Sequence, residues 1–308
     1  MTKEHNISVV AHPFVKWVGG KGQLLNEIQK IYSTGLGTKW TKYAEPFVGG
    51  GAVLFDVLNK YRLDAVYISD INKDLILTYN VIRDSVQKLV KKLQCLQDDF
   101  IPLSLEDRKI YYYAKRERFN VLKLKNTLTA SNMIECASLF IFLNKTCFNG
   151  LYRVNRNGEH NVPMGLYKKP TICDSANLFS VSEKLQNVQI VCGDYRQSQR
   201  FIDKKTFVYF DPPYRPLSTT SNFTSYTQDG FNDVQQKELA TFINEMSELG
   251  ALIVASNSDP KNINSDDHFF DRLYAAHNIK RVTATRMINC DSSARGQIKE
   301  LLITNFSM

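Results

Sequence analysis

The tetrapeptide Asp211-Pro212-Pro213-Tyr214 combines a carboxylate, two prolines and an aromatic ring. It follows the apolar run 206–210, which predicts a buried strand, so it should lie where open α/β sheets bind their ligands. Each proline fixes φ at about −65° and lacks a backbone donor, which leaves rigid carbonyl acceptors beside the carboxylate. Two acceptors and a stacking ring suit an exocyclic amino group on a planar base. The alternative is a plain loop, capped by the aspartate and stiffened by the prolines, and the motif alone leaves both readings open.

A glycine loop is predicted at the end of an earlier strand. Residues 42–47 read as a short strand that runs into Gly49-Gly50-Gly51, and residues 52–60 read as a helix. The loop is not the dinucleotide fingerprint, because no glycine follows Gly51 at the spacing that G-x-G-x-x-G requires. Three glycines nonetheless let the backbone approach a ligand closely at a helix amino terminus. We therefore predict the first strand, turn and helix of a nucleotide-binding sheet.

Two further predicted strands end in acidic residues. The strand at 65–68 leads to Asp70, and the strand at 188–192 leads to Asp194 and Tyr195. An acidic residue about twenty positions after a glycine loop suits a bidentate grip on ribose hydroxyls, which makes Asp70 a candidate. The other role open to Asp70 is that of N-cap for a helix starting near Lys73.

The segment from Pro13 to Gly22 contains a glycine pair and a lysine. It fails as a phosphate-binding Walker loop, because Val15 and Gly22 stand where that loop needs glycine and Ser or Thr. The segment suits a turn over a ligand, with Trp17 as a plate and Lys21 facing a carboxylate or phosphate. A tryptophan packed in the core beside a solvated lysine is the alternative, and this stretch alone favours it.

Residues 75–145 read as helical, with apolar residues at helical spacing in Leu89, Leu93 and Leu96. Positive charge concentrates at 100–170, where 12 Lys and Arg face 5 Asp and Glu, while the whole chain carries a formal charge of +8. A localised basic surface favours a polyanionic partner, with nucleic acid as the first candidate. For any single lysine, a solvated helix face is the simpler interpretation.

A polar stretch at 144–170 follows the helices, and its Asn157-Gly158 pair predicts a hairpin turn. A hairpin that carries Arg, Asn, Tyr and Lys can read base edges in a major groove and bind phosphates. The alternative is a decorated surface loop. Beyond it, a helix is predicted near 234–249 and a buried strand at 251–255. Two antiparallel strands near 279–285 and 297–305 complete the sheet.

Composition limits the class of protein. The 308 residues include 43% hydrophobic and 23% charged residues, which is typical of a soluble globular chain. No apolar run approaches the roughly 18 residues of a membrane span, and the first residues lack the apolar core of a signal peptide, so we expect a cytoplasmic protein. The 6 cysteines contain no C-x-x-C pair and form no cluster with histidine, so no structural zinc or other metal is expected.

The chain closely resembles the Dam family of DNA adenine-N6 methyltransferases, the alpha group of the D12 class. The resemblance runs from about Pro13 to Phe306 and includes Asp211-Pro212-Pro213-Tyr214, the stretch Glu45-Pro46-Phe47-Val48-Gly49-Gly50-Gly51 and the basic stretch between them. It implies S-adenosylmethionine as methyl donor, a Rossmann-like α/β methyltransferase sheet, double-stranded DNA as partner, and a mainly helical DNA-recognition domain that carries a β-hairpin. The implied catalytic domain is discontinuous, at 1–74 and 176–308, with the recognition domain at 75–175. We expect a monomer.

The resemblance also implies roles for individual residues. In the family, the residue matching Asp70 holds the ribose and the one matching Asp194 lies near the cofactor adenine. The residues predicted to act in catalysis are Asp211, Pro212, Pro213 and Tyr214. Those predicted to bind the cofactor are Trp17, Gly20, Lys21, Glu45, Pro46, Phe47, Gly49, Gly51, Asp70, Asp194, Tyr195 and Asp211. Those predicted to contact DNA are Lys16, Phe148, Asn149, Leu151, Arg153, Asn155, Pro163, Tyr167 and Lys168.

Relatives with Arg-x-Asn at Arg153 to Asn155 and Asn-Val-Pro at Asn161 to Pro163 generally modify the adenine of GATC, which is the sequence we expect here. Where this chain has Phe148, some relatives have a tyrosine that wedges into the duplex, and phenylalanine keeps its face without its hydroxyl. Methylation of RNA adenine or of a protein amide remains an alternative, since related enzymes use a similar acceptor motif. DNA binding without catalysis would need a disabled glycine loop, which the sequence does not show.

Overall fold

The computed structural model describes residues 10–17, 19, 21, 24–32, 35–125, 127–215, 231–285 and 297–307. Within them, seven strands form one mixed sheet in the order β3-β2-β1-β4-β5-β7-β6. The strands are β1 (Lys42–Glu45), β2 (Ala65–Asp70), β3 (Val188–Cys192), β4 (Thr206–Phe210), β5 (Leu252–Ser258), β6 (Asn278–Thr285) and β7 (Gln297–Thr304). The pairs β1·β2, β1·β4 and β4·β5 are parallel, and β7 runs antiparallel to β5 and β6. The predicted α/β fold with a final antiparallel pair is confirmed.

The strand order reverses at β1, which has β2 on one side and β4 on the other. A crevice for ligands forms at such a switch point, outside the carboxyl ends of the strands. Ala44 pairs with Val208, so β1 and β4 end at nearly the same level. The sheet therefore brings Glu45, at the end of β1, and Asp211, just after β4, to one edge.

The helices are α1 (Leu25–Tyr32), α2 (Ala52–Lys60), α3 (Lys73–Phe100), α4 (Leu105–Lys123), α5 (Ala130–Thr146), α6 (Ser175–Leu185), α7 (Asp233–Glu248) and α8 (Phe269–Leu273). The predicted helical region thus consists of α3, α4 and α5, and Leu89, Leu93 and Leu96 are all buried. Non-helical dihedrals at Ser85 (φ −148°, ψ 34°) kink α3. Helices α1, α6 and α8 were not predicted.

The chain forms two compact units. The first, here called the helical unit, consists of Met1–Gly20, Gly49–Lys60 and Asn72–Ile190. The second, called the sheet unit, consists of Lys21–Val48, Tyr61–Ile71 and Val191–Met308. These bounds describe compact units and do not assign a function to either. The predicted division into a catalytic domain at 1–74 and 176–308 and a recognition domain at 75–175 therefore stays a prediction.

One face of the sheet in the sheet unit packs against α7 and α8. Alternate residues of each strand point into this core, as Val208 and Phe210 do on β4 and Ile253 and Ala255 do on β5. Every residue of β4 is buried, which agrees with its reading as a continuous apolar run. The core therefore holds rigid the strand end from which Asp211 projects. In the described part of the chain, no helix is long and apolar enough to cross a membrane.

Candidate active site and nucleic-acid surface

In the sheet unit, the Asp211 carboxylate lies directly after β4 and has a basic partner. Its Oδ1 is 2.6 Å from Lys21 Nζ and accepts a hydrogen bond of 2.9 Å from Ser256 Oγ. The Lys21 side chain is only 5% exposed and the Asp211 side chain 20%, so the pair is largely removed from water. The prediction that Lys21 faces a carboxylate or phosphate agrees with this contact. Both partners are on Oδ1, and a carboxylate has a second oxygen with its own acceptor sites.

Tyr214 is held by a carboxylate that sequence reasoning did not identify. Its hydroxyl donates to Glu300 Oε2 at 2.5 Å, and Lys21 Nζ lies 4.5 Å from the centre of its ring. Glu300 belongs to β7, where it pairs with Ser258 of β5. A charged residue in the apolar strand Gln297–Thr304 was the only signal in the sequence, and the adjacent Lys299 gave the same signal. The partner of Glu300 becomes evident only from the pairing of the strands.

Burial and neighbouring charge act on the site in opposite directions. Burial raises the pKa of the Asp211 carboxyl, while Lys21 and Ser256 favour its ionised form. Burial also raises the pKa of Tyr214 well above its usual value, with Asp211 and Glu300 adding to the effect, so the phenol stays protonated. The pKa of Glu300 is raised by burial against the opposing charge of Lys21.

The backbone of the tetrapeptide is fixed by surrounding side chains. Gln236 on α7 is buried and donates to the Pro213 carbonyl at 3.1 Å. Arg215 follows the tetrapeptide and bridges Asp233 and Asp267, each at 2.6 Å. Gln236 and Asp233 belong to α7 and Asp267 lies just before α8, so the turn is held by its surroundings as well as by the rings of its two prolines.

The predicted cofactor residues of the sheet unit gather at the carboxyl ends of the strands. Phe47 stacks on Tyr195, with ring centroids 5.3 Å apart and an interplanar angle of 29°. The Tyr195 hydroxyl is buried without a hydrogen-bond partner among the described residues, and burial raises the pKa of this phenol to about 12. Glu45 is 2% exposed and accepts a 2.6 Å hydrogen bond from Tyr43. The chain continues from Glu45 through Pro46, whose carbonyl accepts from Ser69.

The two acidic strand ends have different surroundings. Asp70 ends β2, and its carbonyl accepts from Gly193 N at 3.1 Å. The N-cap of α3 is Asn72, whose side chain accepts from the backbone at Asp74 and Leu75, so Asp70 does not have the capping role left open by the sequence. Asp194 is half exposed, caps a short 3-10 helix and pairs with Arg196 at 3.4 Å.

In the helical unit, Trp17 packs against the glycine loop. Gly49 and Gly51 have φ of +48° and +77°. A Cβ on Gly49 would come within 2.8 Å of Trp17, and one on Gly50 within 2.9 Å. Only glycine allows this approach, because the first of these positions combines a left-handed backbone with direct ring contact. The close backbone approach in this structure is to Trp17, and the approach to a ligand that the glycines predicted stays a prediction.

The predicted hairpin has the geometry of a short antiparallel ladder. Val154 and His160 form an antiparallel bridge, and the Asn155 N–H donates to the Glu159 carbonyl at 2.9 Å. The Asn155 side chain accepts from the backbone of Asn157 and Glu159, which closes the turn. Arg153 is exposed, and its Nε donates to Asn161 Oδ1 at 2.8 Å.

One face of α4 holds this hairpin in place. Tyr112 donates to the Val162 carbonyl, Arg116 donates to the same oxygen, and Asn120 bonds His160 in both directions. Residues four apart share a face of a helix, so one stripe of α4 supplies all of these contacts. No sequence pattern predicts this stripe, since each residue reads as an ordinary polar or aromatic residue of a solvated helix.

The remaining residues predicted to contact DNA lie close to the hairpin. Lys16 Nζ lies 4.1 Å from the centre of the Tyr167 ring, and the Asn144 side chain bonds the Lys16 backbone at both N and O. Phe148 is 53% exposed, and Asn149 adopts φ +54° beside it. The predicted contacts at Leu151, Pro163 and Lys168 lie in the same stretch, with Pro163 and Lys168 exposed. The residues predicted to contact DNA thus lie together in the helical unit, and their contact with DNA stays a prediction.

Gly20 lies outside the described residues. Among the residues that are described, no group of three or more His, Cys, Asp and Glu side chains could hold a metal ion.

Comparison with known proteins identifies the family. The family model described as "D12 class N6 adenine-specific DNA methyltransferase" matches residues 17–288. The chain belongs to this class. Type II methyltransferase M.MjaIII of Methanocaldococcus jannaschii is 49% identical over 296 residues, which are 96% of this chain and 99% of that protein. Type II methyltransferase M1.LlaDCHI of Lactococcus lactis subsp. cremoris is 35% identical, with 96% and 95% covered. The DNA adenine methylase of Haemophilus influenzae is 34% identical, with 94% and 92% covered.

The D12 class accounts for the general activity. The chain is an adenine-specific DNA methyltransferase with DNA as its substrate, and the predicted resemblance to the Dam family is confirmed.

Proposed function

We propose that this D12 enzyme transfers a methyl group from S-adenosylmethionine to N6 of a flipped adenine in GATC duplexes, with Asp211 as the central acceptor. The observation that carries the proposal is the Asp211 carboxylate at the end of β4, in ionic contact with Lys21 and beside the Tyr214 ring. An acceptor next to an aromatic face, at the edge of a sheet where ligands bind, suits an amino group on a purine.

We assign the donor to groups at the carboxyl ends of the strands in the sheet unit. Asp70 ends β2 as a candidate acceptor for ribose hydroxyls, and Phe47 with Tyr195 supplies aromatic surface. The buried Tyr195 hydroxyl, unpartnered among the described residues, is a candidate polar contact. When bound, S-adenosylmethionine supplies a methyl group on a positively charged sulfur.

Asp211 and Pro212 have the roles of paired acceptors in this proposal. The N6 nitrogen is a weak nucleophile, because its lone pair is delocalised into the purine ring. If the Asp211 carboxylate and the Pro212 carbonyl each accept one N6 hydrogen, the lone pair leaves conjugation and the developing positive charge is stabilised. The nitrogen then gains the methyl group and afterwards loses one proton. No base has to remove that proton first, so an ionised Asp211 suffices.

Tyr214 and the basic surface offset the cost of extruding the base. Neither N6 nor its line of attack is accessible inside a duplex, and unstacking a base costs a few kcal/mol. Stacking on an aromatic ring contributes roughly 1 to 3 kcal/mol per base. The hydrogen bond from the Tyr214 hydroxyl to Glu300 already limits rotation of the ring. Stacking of a base on this ring therefore costs less side-chain entropy.

We further propose that residues 75–175 form the DNA-recognition domain. Support comes from the exposed Arg153 on a hairpin that α4 holds in place, and from the excess of Lys and Arg over 100–170. The GATC sequence itself is inferred from the Arg-x-Asn and Asn-Val-Pro stretches.

Radiolabelled S-adenosylmethionine provides the test. We expect label in a duplex with one GATC site and none in a matched GTAC duplex or in a single-stranded RNA of the same sequence. Equal labelling of both duplexes would refute the GATC specificity and leave the reaction intact. Labelling of RNA in preference to duplex would favour the RNA alternative.

A further inference from the structure

We propose that Tyr152 is a positioning residue that couples the recognition hairpin to Trp17, so that DNA binding strengthens cofactor binding. The inference deepens the proposed function and rests on it, because it takes Trp17 as part of the cofactor site. It depends on contacts within the helical unit alone.

The Tyr152 hydroxyl is anchored to a buried ion pair. It donates to Asp74 Oδ2 at 2.5 Å and accepts from Lys123 Nζ at 3.0 Å. Lys123 Nζ also lies 2.7 Å from Asp74 Oδ2, and the two side chains are only 9% and 10% exposed. Asp74 lies in the first turn of α3, and Lys123 is the last residue of α4. The phenol is therefore fixed between the ends of two long helices.

Burial and Asp74 together raise the pKa of Tyr152, so its hydroxyl remains a donor. Removing a hydrogen-bonding partner from a buried ion pair destabilises the fold, because the charged group that loses the partner stays out of contact with water. The neighbouring His160 is buried beside the Tyr152 ring, and burial with Lys123 and Arg116 lowers the pKa of this histidine to about 3. It therefore adds no charge to the anchor near neutral pH.

The Tyr152 ring supports Trp17 from one side. The two rings are stacked, with centroids 6.0 Å apart and an interplanar angle of 24°. On the glycine loop, Gly49 and Gly50 approach Trp17 so closely that a Cβ on either would contact it at under 3.0 Å. The indole is thus in contact with Tyr152 and with the loop predicted to bind the cofactor.

Tyr152 directly precedes Arg153, which is predicted to contact DNA. Lys16, the residue before Trp17, lies over the ring of Tyr167. Tyr167 ends the stretch Leu151 to Tyr167, which resembles the recognition hairpin of the family and is the recognition hairpin meant here. Two consecutive residues of the amino-terminal segment therefore contact the two ends of the recognition hairpin. The hydroxyl of Tyr152 is already held by Asp74 and Lys123, but its backbone belongs to the hairpin. A duplex that binds Arg153 orders that backbone, and the ring stacked on Trp17 transmits the order. Binding linkage then requires the cofactor to strengthen DNA binding by the same factor.

The test measures S-adenosylhomocysteine binding by calorimetry, with and without a GATC duplex, so that no turnover occurs. The parent and all variants carry Trp40→Phe in the full chain. Of the 2 tryptophans only Trp17 then remains, so its fluorescence emission is a second readout. Tyr152→Leu removes the stack, Tyr152→Phe keeps the ring, and Tyr113→Leu is a matched control on α4 whose ring contacts Tyr112 and Arg116.

We expect the GATC duplex to tighten S-adenosylhomocysteine binding in the parent and in Tyr113→Leu. In Tyr152→Leu this tightening should be lost, the dissociation constant without DNA should rise about threefold to tenfold, and Trp17 emission should shift to the red. Tyr152→Phe keeps the stack and leaves Lys123 paired with Asp74, so its affinity for S-adenosylhomocysteine should stay within about twofold of the parent. The cost of the lost hydroxyl should appear instead as a lower denaturant midpoint. If Tyr152 only stabilised the fold, Tyr152→Leu and Tyr152→Phe would show the same effect of DNA on S-adenosylhomocysteine affinity.

Two results would overturn the coupling: a parent whose affinity ignores DNA, or a Tyr152→Leu variant that retains the DNA effect. If Tyr152→Leu does not fold, Trp17→Leu removes the same stack without touching the ion pair, and it must lose the DNA effect too. Absence of S-adenosylhomocysteine binding to the parent itself would instead refute the proposed cofactor, and the coupling with it.

Discussion

Asp211 pairs with Lys21 and accepts a hydrogen bond from Ser256. A substitution that keeps the shape of this side chain and removes only its charge therefore tests its part in methyl transfer. We expect Asp211→Asn to lower the methyl-transfer rate by about a hundredfold to a thousandfold, because the neutral amide stabilises the developing positive charge poorly. Single-turnover rates with saturating cofactor measure the effect, and cofactor affinity should be retained. Asp203→Asn is the control, since that carboxylate is half exposed and pairs with Lys42 away from the tetrapeptide. Near-normal turnover in Asp211→Asn would remove this residue from the chemistry.

Lys21 makes the rate depend on pH in a predictable direction. Asp211 must be ionised to act, so the rate falls as pH drops through its pKa. Burial raises that pKa and Lys21 lowers it, so Lys21→Met should move the acid limb of the kcat profile to higher pH. The control, Lys280→Met, removes a surface lysine that pairs with Glu27 and should leave the limb in place. An unshifted limb in Lys21→Met would mean that another group controls it.

Arg153 tests base reading by a single side chain. If it pairs bidentately with a guanine, Arg153→Ala should cost about 1 to 3 kcal/mol and relax discrimination at one base pair. Competitive binding to duplexes altered at each position of GATC measures this, with Arg156→Ala at the hairpin turn for comparison. Uniform weakening on all duplexes would make Arg153 a phosphate contact.

At the scale of elements, the start of α2 depends on a glycine that no other residue replaces. Gly51 has φ +77°, and a Cβ there would lie 2.6 Å from the Tyr79 hydroxyl. Gly51→Ala should therefore destabilise the chain by roughly 1 to 3 kcal/mol, seen as a lower denaturant midpoint. Adding Tyr79→Phe removes the clashing oxygen but leaves the backbone strain and the 2.9 Å approach to the Phe55 ring, so it should restore only part of the loss. Full recovery would show that backbone strain at Gly51 is negligible.

The elements themselves were largely readable from local patterns. Strands β2, β4 and β5 contain apolar runs, because they are buried in the sheet, and α3 to α5 follow three- and four-residue spacing, because one face of each helix is buried. The short helix α8 escaped detection, since its five residues cover little more than one turn. The contacts of α4 with the hairpin escaped as well, because a residue type does not reveal which helix face meets a partner.

At the scale of the whole molecule, the formal charge of +8 predicts salt-sensitive DNA binding. We expect the logarithm of the binding constant to fall linearly with the logarithm of salt concentration. Lys168→Ala should reduce the slope by about one if that lysine contacts a phosphate. Lys280→Ala, in the sheet unit and outside the basic stretch, should leave the slope unchanged. An unchanged slope in Lys168→Ala would exclude a phosphate contact at that residue.

The sequence by itself determined the sheet, the family and the residues able to do chemistry, because strand periodicity, glycine spacing and the Asp-Pro-Pro-Tyr motif are local properties of the chain. Only the tertiary structure decided which partners these residues have. Glu300 reaches Tyr214 through strand pairing, and Lys123 reaches Asp74 and Tyr152 by the packing of helices. Such contacts join residues far apart in sequence, and they depend on register and helix orientation, which no short motif encodes.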